Sequence, residues 1–302
     1  MTKMAWDKVE RVSLAEAYSY CESIVRKNKE NFTVGSWLLP KKLRPHLFAL
    51  YAYCRHTDNL GDELEGDSRP LLHKWSEELE RCWFDNPSHP ILVALQHTIE
   101  QHQLSRQPFK DLIEANVIDQ VKMRYETFDD LLRYCKLSAN PVGRIVMEIS
   151  GYDDPKALLY ADAICTALQL SNFWQDVYRD FQIGRIYLPM EDMEMFKVKE
   201  FDLEFCNSSS QMKELMEYQV ERTKSYFKEG LNLLSMVDCK LRFDLALFSF
   251  GGMEVLKLIE DQSFDVLSKR VVITRIGRLR ILNKAVMHIL MHKHRDIRID
   301  ER

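Results

Sequence analysis

Two pairs of aspartates with the same spacing are the residues of this chain whose type and position could do chemistry. Asp58 and Asp62 lie four residues apart in YAYCRHTDNLGDE, and Asp176 and Asp180 lie four apart in NFWQDVYRDFQIGRIYLP. Residues four apart share one face of a helix, so each pair would aim two carboxylates at one point. Like charges at that spacing are unfavourable unless a positive group lies between them. A hard divalent cation such as Mg²⁺, which takes oxygen ligands and keeps substrate phosphates among them, is the natural partner.

The same helical faces carry further polar groups. Tyr51 and Arg55 follow the stripe of the first pair, and Asn172 precedes the second pair by one turn, where it could add a neutral oxygen ligand. Arg185 follows the second pair and could donate two hydrogen bonds to phosphate oxygens. Two such helices facing each other would hold Mg²⁺ ions around a diphosphate. Each stripe taken alone is also consistent with a solvated charged face, and the repetition of the pair favours a functional site.

Composition and local signals indicate an all-α protein. The 302 residues include only 10 Gly and 9 Pro, too few for the many turns of an all-β protein. Pro45 and the Asp154-Pro155 dipeptide open the two helices that carry the aspartates, and Gly184 ends the second. A helix over roughly 131–151 would contain Pro141 and should kink there. Further helix starts are predicted at Ser13 (with Glu16 in a capping box), Ser68, Gln107 (running to about Arg124), Thr127 and Ser208.

Charge and cysteine usage exclude several classes of protein. The net charge of −4 carries no electrostatic footprint for nucleic acid. Seven cysteines occur singly, which is typical of reduced thiols in the cytoplasm rather than of a disulfide framework. The amino-terminal segment lacks an apolar signal region, and no uncharged apolar run approaches the length of a membrane span. We find no linker or repeat, so we expect one domain over residues 1–302, with peripheral contact at the inner membrane surface left open.

The two aspartate segments together resemble the two signature regions of the squalene/phytoene synthase family. NFTVGSWLLPKKLRPHLFALYAYCR resembles the amino-terminal segment of that family, and LLRYCKLSANPVGR resembles its central helix. These details are most similar to the bacterial hydroxysqualene synthase branch, which acts in the squalene route to hopanoids. The resemblance implies an isoprenoid synthase helical bundle around a central apolar cavity, with the aspartates at its mouth.

The resemblance also implies roles for individual residues. Asp58 and Asp62 would form the first Mg²⁺-binding pair, and Asp176 and Asp180 the second, with Asn172 as a further ligand. These four aspartates would be catalytic together with two tyrosines that match positions lining the reaction centre. The tyrosines are Tyr51 and Tyr134, and the residues expected to bind substrate are Arg55, Asn172, Gln175, Arg185 and Tyr187.

Two residues beside the second pair depart from the pattern of the family. Gln175 stands where an arginine is common, and Arg179 stands where an acidic residue is common. The loss of a positive charge at position 175 should weaken the binding of a second diphosphate. The glutamine amide could instead hold a water molecule. These two effects of Gln175 would favour an enzyme that starts from one diphosphate and ends with the addition of water.

The resulting hypothesis is an Mg²⁺-dependent enzyme that converts presqualene diphosphate and water to hydroxysqualene and diphosphate. The alternative within the family is head-to-head condensation of two prenyl diphosphates to presqualene diphosphate, squalene or phytoene. The alternative of another class is an inactive member that acts as a binding or assembly factor. The expected partners are the prenyl diphosphate and, through functional coupling, other enzymes of the squalene pathway.

Overall fold

The helices of this protein begin close to the signals in its sequence. The structure, a computed structural model, describes residues 12–27, 41–62, 66–205 and 208–296. Within these residues the regular elements are α-helices and two short 3-10 helices, with no strand, which confirms the all-α prediction. The chain divides into two compact units, one of residues 1–120 and 148–151, the other of residues 121–147 and 152–302. The single domain over 1–302 stays a prediction.

The described residues of the first unit form five helices. The second of them carries the first aspartate pair, and Trp75, Tyr53 and Thr57 hold it in place. The Trp75 indole donates to the Thr57 hydroxyl at 3.0 Å, and the buried Tyr53 hydroxyl donates to the Phe109 carbonyl at 2.7 Å. The helices are α1 (Leu14–Lys27), α2 (Arg44–Asp62), α3 (Arg69–Phe84), α4 (Pro90–His102) and α5 (Gln107–Ile118).

The second unit is built around a long helix, α8, that carries the second aspartate pair. Trp174 is fully buried on α8, and its indole donates to Thr223 of α10 at 2.8 Å. The helices are α6 (Phe128–Ser138), α7 (Asn140–Ile149), α8 (Pro155–Gln182), α9 (Met190–Met195), α10 (Ser210–Gly230), α11 (Cys239–Asp261) and α12 (Arg275–Asp296), with 3-10 turns at Glu200–Glu204 and Leu231–Ser235.

Side-chain hydrogen bonds cap α1, at the predicted capping box, and α8, at the predicted opening dipeptide. Ser13 and Glu16 form the capping box of α1, in which the Ser13 amide donates to the Glu16 carboxylate at 2.9 Å. Asp154 caps α8, and its carboxylate accepts from the amides of Lys156 and Ala157, each at 2.9 Å. Because these bonds are local, the sequence is sufficient to predict them.

Two predicted boundaries were wrong. Pro141 does not kink one helix, because α6 ends at Ser138 and α7 begins at Asn140. Ala139, between the two helices, has φ −121° and ψ −51°, outside the helical conformation. Pro141 lies in the first turn of α7, where backbone amides have no helical carbonyl to bind, so its missing N–H costs no hydrogen bond. Helix α5 ends at Ile118, earlier than the expected end near Arg124.

No helix within the described ranges is long and apolar enough to cross a bilayer. The cysteines with described side chains are free thiols, and they are Cys21, Cys54, Cys82, Cys135, Cys165 and Cys239.

Candidate functional site

The first aspartate pair lies at the end of α2, where α5 packs against it. Asp58 is exposed and accepts a hydrogen bond from the Asn116 amide at 3.3 Å. Asp62 is the last residue of α2, and its side chain lies outside the described residues. Tyr51 and Arg55 precede the pair on α2 and are half-buried.

Gly61 allows the close approach of α5 to this end of α2. A Cβ atom at Gly61 would lie 2.5 Å from the Asn116 side-chain oxygen. The Gln120 amide also donates to the Gly61 carbonyl at 3.0 Å. Asn116 and Gln120 therefore fix the backbone that carries Asp58, and the sequence analysis identified neither of them.

The second pair is already neutralised in part by an arginine from a distant segment. Asp176 is 6% exposed, and Arg270 binds both of its carboxylate oxygens. One of these bonds, from the terminal guanidinium nitrogen, measures 3.0 Å. The hydrogen bonds to Asp176 raise the pKa of Arg270, and the charge of Asp180 adds to this effect. A positive group at the stacked carboxylates was expected from the sequence, and the protein itself supplies one.

Gln175 holds the segment that carries this arginine. Its side chain is 7% exposed, and its amide nitrogen donates to the Val271 carbonyl at 2.6 Å. Gln175 and Asp176 are neighbours on α8, just as Val271 and Arg270 are neighbours between α11 and α12. The two contacts form a paired clamp between α8 and residues 270–271. The amide nitrogen predicted to hold a water molecule thus binds the backbone.

Asn172 and Asp180 complete the polar face of α8. Asn172 is exposed, one turn before Asp176, and Asp180 is half-buried, one turn after it. The helix ends at Gln182, and Gly184 takes a positive φ of 84°, a conformation that glycine adopts without strain. The Arg185 amide then donates to the Asp180 carbonyl at 2.9 Å, which holds the next segment near the end of α8.

The two tyrosines predicted in the second unit, Tyr134 and Tyr187, meet in one aromatic cluster. Tyr187 stacks on Phe173 with ring centroids 4.0 Å apart, and Tyr134 lies 5.9 Å from Tyr187. Tyr125, which the sequence analysis did not identify, stacks on Tyr187 at 5.6 Å. Phe173 lies one turn before Asp176 on α8, so these ring faces are close to the end of α8 that carries the second pair.

Arg124 fixes the segment that brings Tyr187 into this cluster. Its guanidinium donates to both oxygens of Glu200, at 2.7 and 2.8 Å, and to the Gly184 carbonyl at 2.6 Å. The Ile186 amide donates to the Met123 carbonyl at 2.9 Å. These bonds leave the backbone just before Tyr187 little freedom.

The donors on α8 suit a hard cation. Asp176, Asp180 and Asn172 offer carboxylate and amide oxygens, the ligand type that Mg²⁺ prefers. Among the described side chains, no three His, Cys, Asp or Glu residues come together as a metal site by themselves. Because Asp58 belongs to one compact unit and Asp176 to the other, the convergence of the two pairs stays a prediction. The predicted apolar cavity also stays a prediction.

Comparison with known proteins places the chain among enzymes that act on prenyl diphosphates. A model of the squalene/phytoene synthase family matches residues 25–277, which include all four aspartates. The 15-cis-phytoene synthase of Synechococcus elongatus is 30% identical over 289 residues, covering 91% of this chain and 94% of that protein. The 15-cis-phytoene synthase of Synechocystis sp. is 31% identical over 274 residues, covering 85% of this chain and 81% of that protein.

Solved structures give the same result. The squalene synthase HpnC of Alicyclobacillus acidocaldarius is 39% identical, with a TM-score of 0.80, and the match covers 83% of this chain and 96% of that one. A dehydrosqualene synthase is 25% identical, with a TM-score of 0.85, and the match covers 92% of this chain and 98% of that one. These similarities confirm the helical isoprenoid synthase fold.

Proposed function

This chain belongs to the squalene/phytoene synthase family, and on that premise we propose that it converts presqualene diphosphate and water to hydroxysqualene and diphosphate. The contact of Gln175 carries this choice of reaction. Family members commonly have arginine at this position, whereas the glutamine amide here is used to hold the Val271 carbonyl. Asp176 is bound by the guanidinium of Arg270, and position 175 adds no second positive charge beside it. The positive charge at this aspartate pair therefore suits one diphosphate better than two.

The metal that the proposal requires is Mg²⁺. Its ligands would be Asp58, Asp62, Asn172, Asp176 and Asp180, all of which offer oxygen atoms. Mg²⁺ would supply positive charge that stabilises the diphosphate as it leaves.

The cationic side chains bind and orient the diphosphate. Arg55 and Arg185 would donate hydrogen bonds to its oxygens, and Arg270 keeps the Asp176 carboxylate compensated until substrate and metal arrive. Donors arranged in advance cost no reorganisation when charge develops on the leaving group. Tyr51 would line the reaction centre from α2.

The reaction breaks one carbon–oxygen bond and forms another. The electron pair of the first bond leaves with diphosphate, and a cyclopropylcarbinyl cation remains and rearranges. The faces of Phe173, Tyr187 and Tyr134 stabilise positive charge through their ring quadrupoles. A water oxygen then bonds to the rearranged cation and releases a proton to solvent, so that hydroxysqualene, diphosphate and one proton balance the substrates.

A second candidate is the condensation of two prenyl diphosphates. It is favoured by the names of the two cyanobacterial relatives, both of which are 15-cis-phytoene synthases. A catalytically inactive binding factor is less consistent with this chain, because all four aspartates are present.

Product analysis distinguishes these functions. Purified protein with Mg²⁺ is incubated separately with presqualene diphosphate, farnesyl diphosphate and geranylgeranyl diphosphate, and the extracted lipids are identified by mass spectrometry. We expect an alcohol from presqualene diphosphate alone. A hydrocarbon or presqualene diphosphate formed from the smaller substrates, without the alcohol, would establish the condensation instead. Asp176→Asn should abolish turnover, whereas Asp162→Asn, which alters another carboxylate of α8, should retain it. Absence of turnover with every substrate would support the inactive factor.

A further inference from the structure

Helix α12 exposes a stripe of large apolar side chains to solvent. Ile276 is 70% exposed, Leu279 60%, Leu290 53% and Met287 53%. With 3.6 residues per turn, these positions fall on one side of the helix. We name them the α12 stripe, together with Val286, which lies between them.

The opposite side of α12 is already used for packing. Gly277, Ile281 and Ala285 are buried at four-residue intervals, and Ala285 joins a core cluster with Phe243 of α11. Arg280 of α12 is paired with the buried Glu254 of α11 at 3.0 Å. The helix is therefore held in place by one side, and the α12 stripe takes no part in that contact.

Basic residues border the α12 stripe on both edges. At 100° per residue, Arg275 and Arg278 lie along one edge, and Arg280 and Lys284 along the other. All four are exposed, and residues 275–291 contain no aspartate or glutamate. This charge contrasts with the net charge of −4 of the whole chain.

The family match ends at residue 277, so nearly all of α12 lies beyond it. The surface is thus an addition to the part of the chain that the family model covers. A second copy of the same helix is a poor occupant, because two strips of like charge would face each other. An anionic surface with an apolar interior complements both the arginines and the stripe.

We propose that α12 docks this protein on the surface of an anionic phospholipid bilayer. The α12 stripe inserts at the boundary of head groups and acyl chains, and the basic side chains of Arg275, Arg278 and Lys284 contact lipid phosphates, while Arg280 keeps its ion pair with Glu254. The helix lies in the plane of the interface, as basic amphipathic helices do. This docking is independent of which prenyl diphosphate the protein uses.

Vesicle flotation with the full-length protein tests the proposal. The vesicles contain either phosphatidylcholine alone or phosphatidylcholine mixed with phosphatidylglycerol. We expect binding to the mixed vesicles that falls as the salt concentration rises, and at least about tenfold weaker binding to phosphatidylcholine alone.

Two variants separate the contributions of the surface. Leu279→Ser combined with Leu290→Ser should lower binding to the mixed vesicles by at least about tenfold, and so should Arg275→Gln combined with Arg278→Gln. The matched control is Leu159→Ser combined with Ile183→Ser, which alters two exposed apolar residues on other elements, each 61% exposed. Circular dichroism establishes that each variant folds as the wild type does.

Three results would overturn the proposal. The wild type could fail to bind the mixed vesicles, or the variants in the α12 stripe could bind as tightly as the control. Light scattering could also show a dimer of the wild type that the stripe variant alone converts to a monomer. That last outcome would assign the stripe to a second copy of this chain.

Discussion

Replacement of Arg270 by alanine tests the clamp on the second aspartate pair. Arg270 makes two charge-assisted hydrogen bonds to Asp176, and Asp176 is 6% exposed. Arg270→Ala would leave that carboxylate buried beside Asp180 with its compensating charge removed. Asp176→Ala should destabilise the protein less, because it leaves behind the guanidinium, whose side chain is 44% exposed.

The size of the effect follows from the burial of the two partners. Breaking a fully buried ion pair costs about 3–5 kcal/mol, and an exposed pair contributes about 0–1 kcal/mol. Because Asp176 is buried and Arg270 is half-exposed, Arg270→Ala should lower the free energy of unfolding by an intermediate amount, about 2 kcal/mol. The midpoint of thermal unfolding should fall by about 3 °C. In an Asp176→Asn background the loss should shrink to about 0.5 kcal/mol, because no buried charge is left behind.

Urea unfolding of the four proteins in this double-mutant cycle measures the coupling energy directly. The buffer contains EDTA, so that no divalent cation replaces the missing guanidinium. The matched control is Arg144→Ala, because Arg144 also binds both oxygens of an α8 carboxylate, that of Asp162, at 2.9 and 2.6 Å. In a second measurement, with Mg²⁺ in place of EDTA, the stability of Arg270→Ala should be restored and that of Arg144→Ala should not change. A coupling energy near zero between residues 176 and 270 would refute the clamp.

Three further predictions concern other parts of the molecule. Burial lowers the pKa of His56 to about 4, so its contribution to stability is present above pH 6.5 and is lost as the pH falls toward 4. The pKa values of His46 and His89 are also lowered to about 4, and these two residues still titrate in a His56→Leu variant. Between pH 7 and pH 4 the free energy of unfolding in urea should therefore fall by up to about 3 kcal/mol more in the wild type than in His56→Leu, and an equal fall in both proteins would contradict this prediction. Gly61→Ala should displace Asn116 and cost about 1 kcal/mol, an effect that is not additive with Asn116→Ala. Tyr187→Leu should lower kcat with presqualene diphosphate about tenfold at unchanged KM, whereas Tyr187→Phe keeps the ring over Phe173 and most of the rate; equal losses would argue against ring stabilisation.

The parts of the site that could be predicted are those that local sequence determines. The spacing of Asp176 and Asp180, the cap at Asp154 and the stop at Gly184 all act within a few residues of each other. Periodicity then placed both carboxylates on one face of α8. Pro141 shows the limit of this reasoning, because one proline is compatible with a kink or with a new helix.

The parts that could not be predicted come from tertiary contacts. Arg270 lies in a segment outside any helix, with no periodicity to indicate its orientation. Asn116 contacts Asp58 because α5 packs against α2 within the first unit. Tyr125 stacks on Tyr187 within the second unit, a contact between residues far apart in the sequence. The role of Gln175 could not be predicted in full from the sequence, because its amide binds a backbone carbonyl and no sequence motif indicates that partner.

The clamp between α8 and residues 270–271 also constrains the order in which the protein can be completed during synthesis. Gln175 and Val271 are 96 positions apart, and Asp176 and Arg270 are 94 apart. Closing a loop of that length early carries an entropic cost that only later packing repays. On the ribosome, α8 emerges long before its arginine, so the Asp176 carboxylate must remain hydrated until α11 has been made. The nascent chain therefore completes the clamp on α8 among the last steps of folding, and a chain released before residue 270 would retain α8 with an uncompensated acidic pair.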